Sequence, residues 1–265
     1  MKVLGIHARA AVLATRQCLG KHLRRATAGL ALIPGTALCG APFQTDDPNV
    51  VAFQHAEVLA YYQSTLTGTG RLGTLPGLEL HYGAFERTEF DLIAPYAFSF
   101  PPGGATAHGY GDTVVGGKYS LISADDDTFL LSAVPKIRFP TGNASRGLGS
   151  GGSAVFLALA AQQTIDDFQT YANAGYWINN GAGNQNYWFV GWAAQYKVSE
   201  CWTLGAEVFY NGPEVVGQVR SVGFNVGGYF SLTPQSQLLF SMGRGLTNAA
   251  VTNRVSAYVG GQINF

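Results

Sequence analysis

Apolar and polar residues alternate along most of the chain beyond residue 51. Along residues 187–197, Trp188 and Trp192 fall on one face of an extended strand, and Gln195 and Lys197 fall on the other. A period of two predicts β-strands with one apolar face. Turn-forming residues separate the stretches that show this pattern. We identify twelve of them, at residues 52–64, 74–83, 86–98, 111–122, 128–139, 152–162, 168–179, 186–198, 201–211, 219–231, 236–245 and 254–265.

The connections between these stretches alternate in length. Compact ones lie at residues 83–85, 124–127, 164–167, 198–200 and 232–235. The others are generally longer and often rich in Gly, as at residues 101–110, 140–151 and 245–253. Short turns at one end and long loops at the other are typical of outer-membrane barrels. We therefore predict an all-β fold, a transmembrane antiparallel β-barrel of about twelve strands.

The end of the chain supports a membrane location. Residues 256–265 alternate and finish on Phe265, a recurrent end for bacterial outer-membrane barrels. No apolar run reaches the length of about 18 residues that a transmembrane helix needs. We expect the protein in the bacterial outer membrane, with lipid as one partner and the barrel-assembly machinery, acting through the Phe265 strand, as another.

The distribution of charge excludes one class of partner. The sequence has 16 basic and 16 acidic residues, but residues 1–40 hold six of the basic ones and none of the acids. The remainder therefore carries ten basic and sixteen acidic residues, a net charge of −6. Nucleic-acid binding needs a basic face, so we expect no nucleic-acid partner.

Residues 1–40 have the features of an export signal. Basic residues precede a short apolar run at residues 26–38, and small residues follow. We predict a signal peptide over residues 1–40, cleaved after Cys39 or Gly40, and a barrel over residues 41–265. The long basic stretch raises the alternative of a start downstream of Met1. A lipid-anchored Cys39 is a further alternative, which the preceding Leu38 disfavours.

Short motifs recur at intervals from residue 42 to residue 265. They include Pro-Phe-Gln-Thr-Asp-Asp-Pro (42–48), Glu-Leu-His-Tyr-Gly (79–83), Gly-Tyr-Gly-Asp (109–112), Phe-Pro-Thr-Gly (139–142), Gly-Leu-Gly-Ser-Gly (147–151), Asn-Gln-Asn-Tyr-Trp-Phe (184–189), Leu-Gly-Ala-Glu (204–207) and Gly-Arg-Gly (243–245). In these motifs the chain resembles a family of outer-membrane barrels labelled as components of the phenol meta-degradation (MetA) pathway. The resemblance implies a barrel that passes small solutes, with aromatic compounds as candidates. It does not imply catalysis of phenol breakdown.

Continuing the alternation along the strands places a set of charged residues on the inner face. A basic residue facing lipid at mid-bilayer costs about 2–4 kcal/mol, so these side chains are expected to point inward. One interpretation is a polar conduction path, and the other is a network of ion pairs that fills the lumen. Twelve strands lie between a filled and an open barrel, which predicts a narrow or partly plugged lumen. The lumen-lining residues that we predict are His55, Glu57, Glu79, His81, Arg87, Glu89, Asp91, Lys118, Lys136, Arg138, Lys197 and Glu207.

Metal binding is a weaker interpretation of part of this set. His and carboxylate side chains at alternate positions of a strand share a face, as metal ligands can. His55, Glu57, Glu79 and His81 fit that description, but we favour a hydrogen-bonded cluster and expect neither a metal nor a cofactor. The acidic stretch at residues 125–127 is interpreted as a solvated turn.

A hydrolase is the main alternative from another functional class. Outer-membrane lipases need a Ser activated by a His, and this sequence has no G-x-S-x-G motif. We therefore expect a non-enzymatic barrel through which small solutes pass. A closed barrel with a structural or surface-binding role is the second hypothesis.

Overall fold

The computed structural model describes residues 41–124 and 128–265. The predicted signal peptide and the Asp125–Asp127 turn lie outside the described residues, and the signal peptide stays a prediction. The strands are β1 (Ala56–Thr67), β2 (Gly70–Phe85), β3 (Thr88–Phe100), β4 (Ala107–Tyr110), β5 (Thr113–Ser123), β6 (Phe129–Phe139), β7 (Ala154–Ile165), β8 (Phe168–Asn179), β9 (Tyr187–Lys197), β10 (Trp202–Asn211), β11 (Ser221–Thr233), β12 (Ser236–Gly245) and β13 (Val255–Asn264).

The strands close into an antiparallel barrel. β1 pairs with β2 on one side and with β13 on the other, so no sheet edge is left open at the chain ends. β3 pairs with β5 over residues 88–93 and with β4 over residues 96–99. β4 and β5 therefore occupy one position in the wall, which gives twelve strand positions. The predicted closed barrel of about twelve antiparallel strands is confirmed.

Asp112 lies at a break between β4 and β5, which the alternation did not predict. Its carboxylate accepts hydrogen bonds from the backbone N–H of Gly142 (3.0 Å) and from the N–H and hydroxyl of Ser150 (2.7 and 2.6 Å). These bonds hold the long β6–β7 loop against the wall. The facing residue of β3 is Pro95, which accepts from the Gly111 N–H (2.9 Å) but has no N–H to donate, so the backbone ladder is interrupted there.

Helical structure is confined to two short pieces in the described residues. A 3₁₀ turn spans Ala144–Arg146 and a helix, α1, spans Ala249–Thr252. Among residues 41–124 and 128–265, no helix is both long and apolar enough to cross a membrane.

The two faces of the wall differ as the alternation predicted. On β9, Trp188 and Trp192 are more than half exposed, whereas the residues that follow them, Phe189 and Ala193, are buried. Every strand from β5 to β13 carries exposed apolar side chains of this kind. An apolar outer belt is what contact with lipid requires, because charged groups are costly there.

Aromatic rings are concentrated toward both ends of this outer belt. Near the end that carries the long loops, Trp188 contacts Tyr176 with ring centroids 4.9 Å apart. Near the end with the short turns, Trp202 lies 4.7 Å from Phe230. Rings at these two levels are typical of the aromatic girdles of membrane barrels.

Candidate functional site

Residues 41–51 lie inside the barrel and form what we call the lumen segment. They precede β1 and follow the inner wall instead of joining the sheet. Backbone groups of the lumen segment bind side chains of widely separated strands. Ser241 on β12 donates to the Pro42 carbonyl (2.7 Å), and Ser132 on β6 donates to the Pro48 carbonyl (2.6 Å). The barrel predicted over residues 41–265 therefore begins with an internal segment, and its first strand starts at residue 56.

Glu207 on β10 is the main anchor of the lumen segment. Its carboxylate accepts hydrogen bonds from the backbone N–H of Gln44 (2.9 Å) and Thr45 (2.9 Å) and from the Thr45 hydroxyl (2.6 Å). The Asn225 side-chain amide donates a further bond of 2.5 Å. Glu207 and Thr45 are both fully buried. Bonds to an ionised acceptor are stronger than neutral ones, so this contact holds the segment firmly.

A glycine on β9, the strand next to β10, leaves room for Thr45. A Cβ atom added at Gly191 on β9 would lie 3.0 Å from the Thr45 Cβ and closer still to its hydroxyl. Any larger residue at position 191 would therefore displace the lumen segment. Beside this contact, Phe43 packs against Tyr171 and Ala193 in a small apolar cluster.

Two lysines on adjacent strands hold the acidic part of the lumen segment. The Lys136 ammonium on β6 donates to both carboxylate oxygens of Asp46, at 2.7 and 2.8 Å. The Lys118 ammonium on β5 donates to the Asn49 carbonyl (3.1 Å) and lies 3.8 Å from the Asp47 carboxylate. These contacts explain why two buried lysines are found in a lumen that is mainly acidic.

An imidazole surrounded by carboxylates lies on β2 and β3. His81 Nδ1 is 2.8 Å from Asp91 Oδ1 and 3.4 Å from Glu89 Oε1, and His81 Nε2 is 3.4 Å from Glu79 Oε2. Glu89 also accepts a hydrogen bond from the Val51 backbone N–H at 2.6 Å. The cluster therefore connects the lumen segment to the wall at the point where the chain enters β1.

Glu57 and Arg138 are the remaining charged residues that the structure places at the inner wall. Glu57 is buried opposite His81 in the β1–β2 pairing and accepts a hydrogen bond from Gln262 (3.0 Å). The Arg138 guanidinium lies 2.7 Å from Glu214. It also stands 5.3 Å above the Trp177 ring.

Three predicted lumen residues lie elsewhere, which corrects the prediction. His55 is exposed before β1 starts, and Lys197 is exposed as the last residue of β9. Arg87 lies in the β2–β3 turn, where it donates to the Leu121 carbonyl and stands 5.9 Å from the Tyr119 ring on the outer surface. For His55 and Arg87 the alternation was continued beyond a strand, whereas Lys197 is the last paired residue of β9, at the end of the barrel. The predicted metal-ligand set is divided in the same way, because His55 is separated from Glu57, Glu79 and His81.

A cavity of about 210 Å³ remains between the lumen segment and the wall. Gln44 and Asp46 line it on the side of the lumen segment. Gln63, Glu79, His81 and Tyr258 line it on the side of β1, β2 and β13. The lining combines charged and amide side chains with apolar ones such as Ile93 and Val114.

The alternation also predicts inward positions for residues that we did not single out as functional. Uncharged amides face the lumen on several strands, and they bind the lumen segment or one another. Gln162 accepts from the Asn49 amide at 2.9 Å, and Gln195 accepts from the Tyr229 hydroxyl. Their inward positions followed from the alternation, but no sequence signal showed that residues 41–51 would supply the partners.

Comparison with known proteins agrees with this architecture. The sequence profile of the family described as “Putative MetA-pathway of phenol degradation” matches residues 45–265. No curated protein sequence matches the chain. Among solved structures, the chain is similar to the COG4313 outer membrane channel from Pseudomonas putida F1, with 17% identity, a TM-score of 0.67, and coverage of 83% of this chain and 98% of that one.

Two porins are similar at a greater distance. The KdgM porin has 12% identity and a TM-score of 0.54, with 78% of this chain and 99% of that chain covered. The NanC porin has 11% identity and a TM-score of 0.54, with 78% and 98% covered. Similarity at these identities shows the fold.

The fold and the apolar outer belt place the protein in the bacterial outer membrane. Because the family profile covers most of the sequence, the chain belongs to the family described as the MetA-pathway of phenol degradation.

Proposed function

We propose that the protein is a narrow channel through which small solutes cross the outer membrane, and that it is not an enzyme. The observation that carries this proposal is the cavity of about 210 Å³ beside the lumen segment, which charged side chains line in part. A twelve-stranded barrel encloses more space than its wall side chains fill. The lumen segment takes up part of that space and leaves a path on the side of β1, β2 and β13.

The charges around this path favour cations. Six carboxylates lie at or next to the cavity, and the two buried lysines balance part of them. Opposite charges in a low-dielectric channel attract permeating ions, and like charges repel them. We therefore expect cation-selective conduction. The carboxylates are those of Asp46, Asp47, Glu57, Glu79, Glu89 and Asp91, and the lysines are Lys118 and Lys136.

Planar-bilayer recording of the purified protein tests this proposal. We expect small single-channel currents whose reversal potential in a KCl gradient indicates preference for K⁺. Glu79→Gln lowers that preference because it removes a charge from the cavity wall. Glu86→Gln, in the exposed β2–β3 turn, is the matched control and leaves the preference unchanged. The absence of current together with the absence of solute uptake in liposomes would refute the proposal.

Small aromatic compounds are the solutes that we propose to examine first. The family description names phenol degradation, and the Tyr61 and Tyr258 rings stack 5.3 Å apart on the wall of β1 and β13. Protein-dependent uptake of catechol, corrected with protein-free liposomes, should exceed that of a trisaccharide. Equal exclusion of both would contradict this part of the proposal.

A closed barrel is the second candidate, and the lumen segment is the observation that favours it. Contacts from β3 to β12 hold residues 42–51 in place, as a permanent plug would require. The two candidates differ in liposomes. A closed barrel admits no solute and loses stability when its lumen charges are neutralised, whereas a channel changes its ion preference.

We also propose that the last strand directs assembly. The backbone of Phe265 exchanges hydrogen bonds with Ala56 at 2.9 and 3.2 Å, which joins the two ends of the barrel. Its ring is exposed on the outer surface. A ring in this position is available to the barrel-assembly machinery before the barrel closes. Phe265→Ser should lower the amount of folded barrel in outer membranes, and Phe129→Ser, another exposed aromatic, should not.

A further inference from the structure

One nitrogen of the buried imidazole lacks a hydrogen bond. His81 is 5% exposed, and its Nε2 atom makes no hydrogen bond among the described residues. The Tyr258 hydroxyl, on the wall of the same cavity, is also buried without a partner. Buried polar atoms are nearly always satisfied by protein, water or a ligand. These two atoms therefore indicate a bound species in the cavity.

The other nitrogen of His81 is held in the manner of a metal ligand. Nδ1 lies 2.8 Å from Asp91 Oδ1, and Glu89 Oε1 is 3.4 Å away. A metal-binding His usually donates its second ring N–H to a carboxylate, which fixes the tautomer and makes the free nitrogen more basic. With the proton on Nδ1, the lone pair of Nε2 is directed to the side of Glu79.

Glu79 lies at the distance that a second ligand would have. Its Oε2 atom is 3.4 Å from His81 Nε2, and both residues line the cavity. Two ligands that are each about 2.0–2.1 Å from a tetrahedral zinc ion are about 3.4 Å apart. The spacing therefore fits one ion between them, and the cavity leaves room for water or solute at the remaining coordination positions.

The local charge also favours a divalent cation. Four carboxylates, of Glu57, Glu79, Glu89 and Asp91, lie around one imidazole on β1, β2 and β3. The Lys118 ammonium is 3.9 Å from Glu89. One lysine is fewer than four carboxylates, and a buried carboxylate without a counter-charge is costly unless it binds a proton or a cation. A divalent ion supplies the missing positive charge.

We propose that His81 Nε2 and the Glu79 carboxylate bind a divalent transition-metal cation of the zinc type at the wall of the lumen, with Asp91 as a positioning residue. This site goes beyond the proposed solute channel. A His ligand beside a carboxylate suits zinc better than magnesium or calcium, which prefer oxygen ligands alone. The competing explanation is a protonated His81 that bridges the carboxylates without any metal.

Calorimetric titration of the purified, detergent-solubilised barrel with ZnCl₂ alone tests the site. We expect saturable binding of one ion by the wild-type protein. His81→Asn and Glu79→Gln should each abolish it or weaken it at least tenfold. Asp91→Asn should weaken it about 10–100-fold, because it removes the group that orients the imidazole. The titration measures binding and not current, so its result is independent of whether the barrel conducts.

Two exposed positions provide matched controls. His108→Asn changes an imidazole near the long loops, and Glu86→Gln changes a carboxylate in a turn. Neither should alter zinc affinity. Heat-dependent migration on SDS gels establishes that each variant is folded, and Glu79→Gln keeps the test decisive if His81→Asn does not fold. Absence of saturable binding by the wild-type protein, or equal affinity in the His81 and Glu79 variants, would overturn the proposal.

Discussion

Two parts of the inner wall differ in what they contact. The contact wall, β7–β10, faces the lumen segment, and its polar side chains bind that segment directly, as Glu207 and Gln162 do. The cavity wall, β1, β2 and β13, faces the cavity, and two of its buried polar atoms, His81 Nε2 and the Tyr258 hydroxyl, make no hydrogen bond. Among the described residues of the contact wall, only Asn173 Oδ1 is buried in the same way. Both walls follow the same alternation in sequence. Alternation therefore determines which residues face inward, whereas residues 41–51 determine which of those residues are already bound to the lumen segment.

This difference assigns the two walls separate roles. Polar groups that are fully bonded to a segment are expensive to separate and mainly contribute stability. Polar groups that face a cavity are available to ions and solutes. Changes on the contact wall should therefore affect stability and pore size, and changes on the cavity wall should affect selectivity and binding.

The largest effect is expected from replacing the part of the lumen segment that contacts the wall. Replacement of residues 43–48 by Gly and Ser deletes the Phe43, Thr45 and Asp46 contacts, so the segment no longer holds its place along the wall. Single-channel conductance should rise severalfold. Equivalent replacement of residues 101–106, in the β3–β4 loop, is the control and should leave conductance near the wild-type value. An unchanged conductance after the first replacement would show that the segment does not limit the pore.

The next effect is at Glu207. Glu207→Gln replaces an ionised acceptor of several buried hydrogen bonds, and bonds to charged groups contribute about 1.5–3 kcal/mol each. We expect the free energy of unfolding in lipid vesicles to fall by roughly 2–4 kcal/mol, with larger current fluctuations as the segment loosens. Urea titration measures the first and bilayer recording the second. Glu86→Gln should have neither effect, and a fully stable Glu207→Gln barrel would contradict the anchoring role.

A smaller effect is expected from the Asp46–Lys136 ion pair. The pair is mostly buried, and its two short contacts should couple the residues by about 1–3 kcal/mol. A double-mutant cycle of Asp46→Asn and Lys136→Gln, measured by urea unfolding, gives this coupling. Additive effects of the two substitutions would mean that the segment and β6 are energetically independent.

The smallest effect is expected at Arg87, which lies outside the lumen. Arg87→Gln removes a surface hydrogen bond and a ring contact worth less than about 1 kcal/mol. The reversal potential in a KCl gradient should stay at the wild-type value. The Glu79→Gln variant, measured in parallel, should shift it. A shift of similar size in the Arg87→Gln variant would show that the β2–β3 turn and the cavity wall are not distinct in function.

Much of the barrel could be predicted from sequence because lipid and lumen impose opposite requirements on successive residues. The strands β6, β8 and β12 begin and end within one residue of their predicted positions. The hydrogen bonds of Asp112 could not be predicted, since they join it to a loop some 30–38 residues later. His55 and Arg87 were misplaced because they lie outside the paired strands, where alternation no longer determines the face. Lys197 was misplaced because it is the last paired residue of β9, where the side chain is exposed at the end of the barrel.

The lumen segment itself was not predicted. Residues 42–48 were recognised as a motif, but a motif without alternation does not say where it lies. Gly191 was the available signal, since it interrupts the bulky inward side chains of β9. Interpreting it required the structure, because a glycine in a strand indicates close approach by some other group without identifying that group.

The most direct test of the account is the single-channel conductance of a barrel whose lumen segment is fixed to the wall. A carbodiimide can join the Asp46 carboxylate to the Lys136 amine as an amide, because these atoms already lie 2.7–2.8 Å apart. Asp46→Asn and Lys136→Gln cannot form this amide, and each variant is recorded before and after treatment as the control. We predict that the amide forms in the wild-type barrel and that the treated barrel conducts as the untreated one does, because the cavity beside the segment is unchanged. Failure of the amide to form, or loss of current on treatment in the wild-type barrel but not in the two variants, would contradict the account.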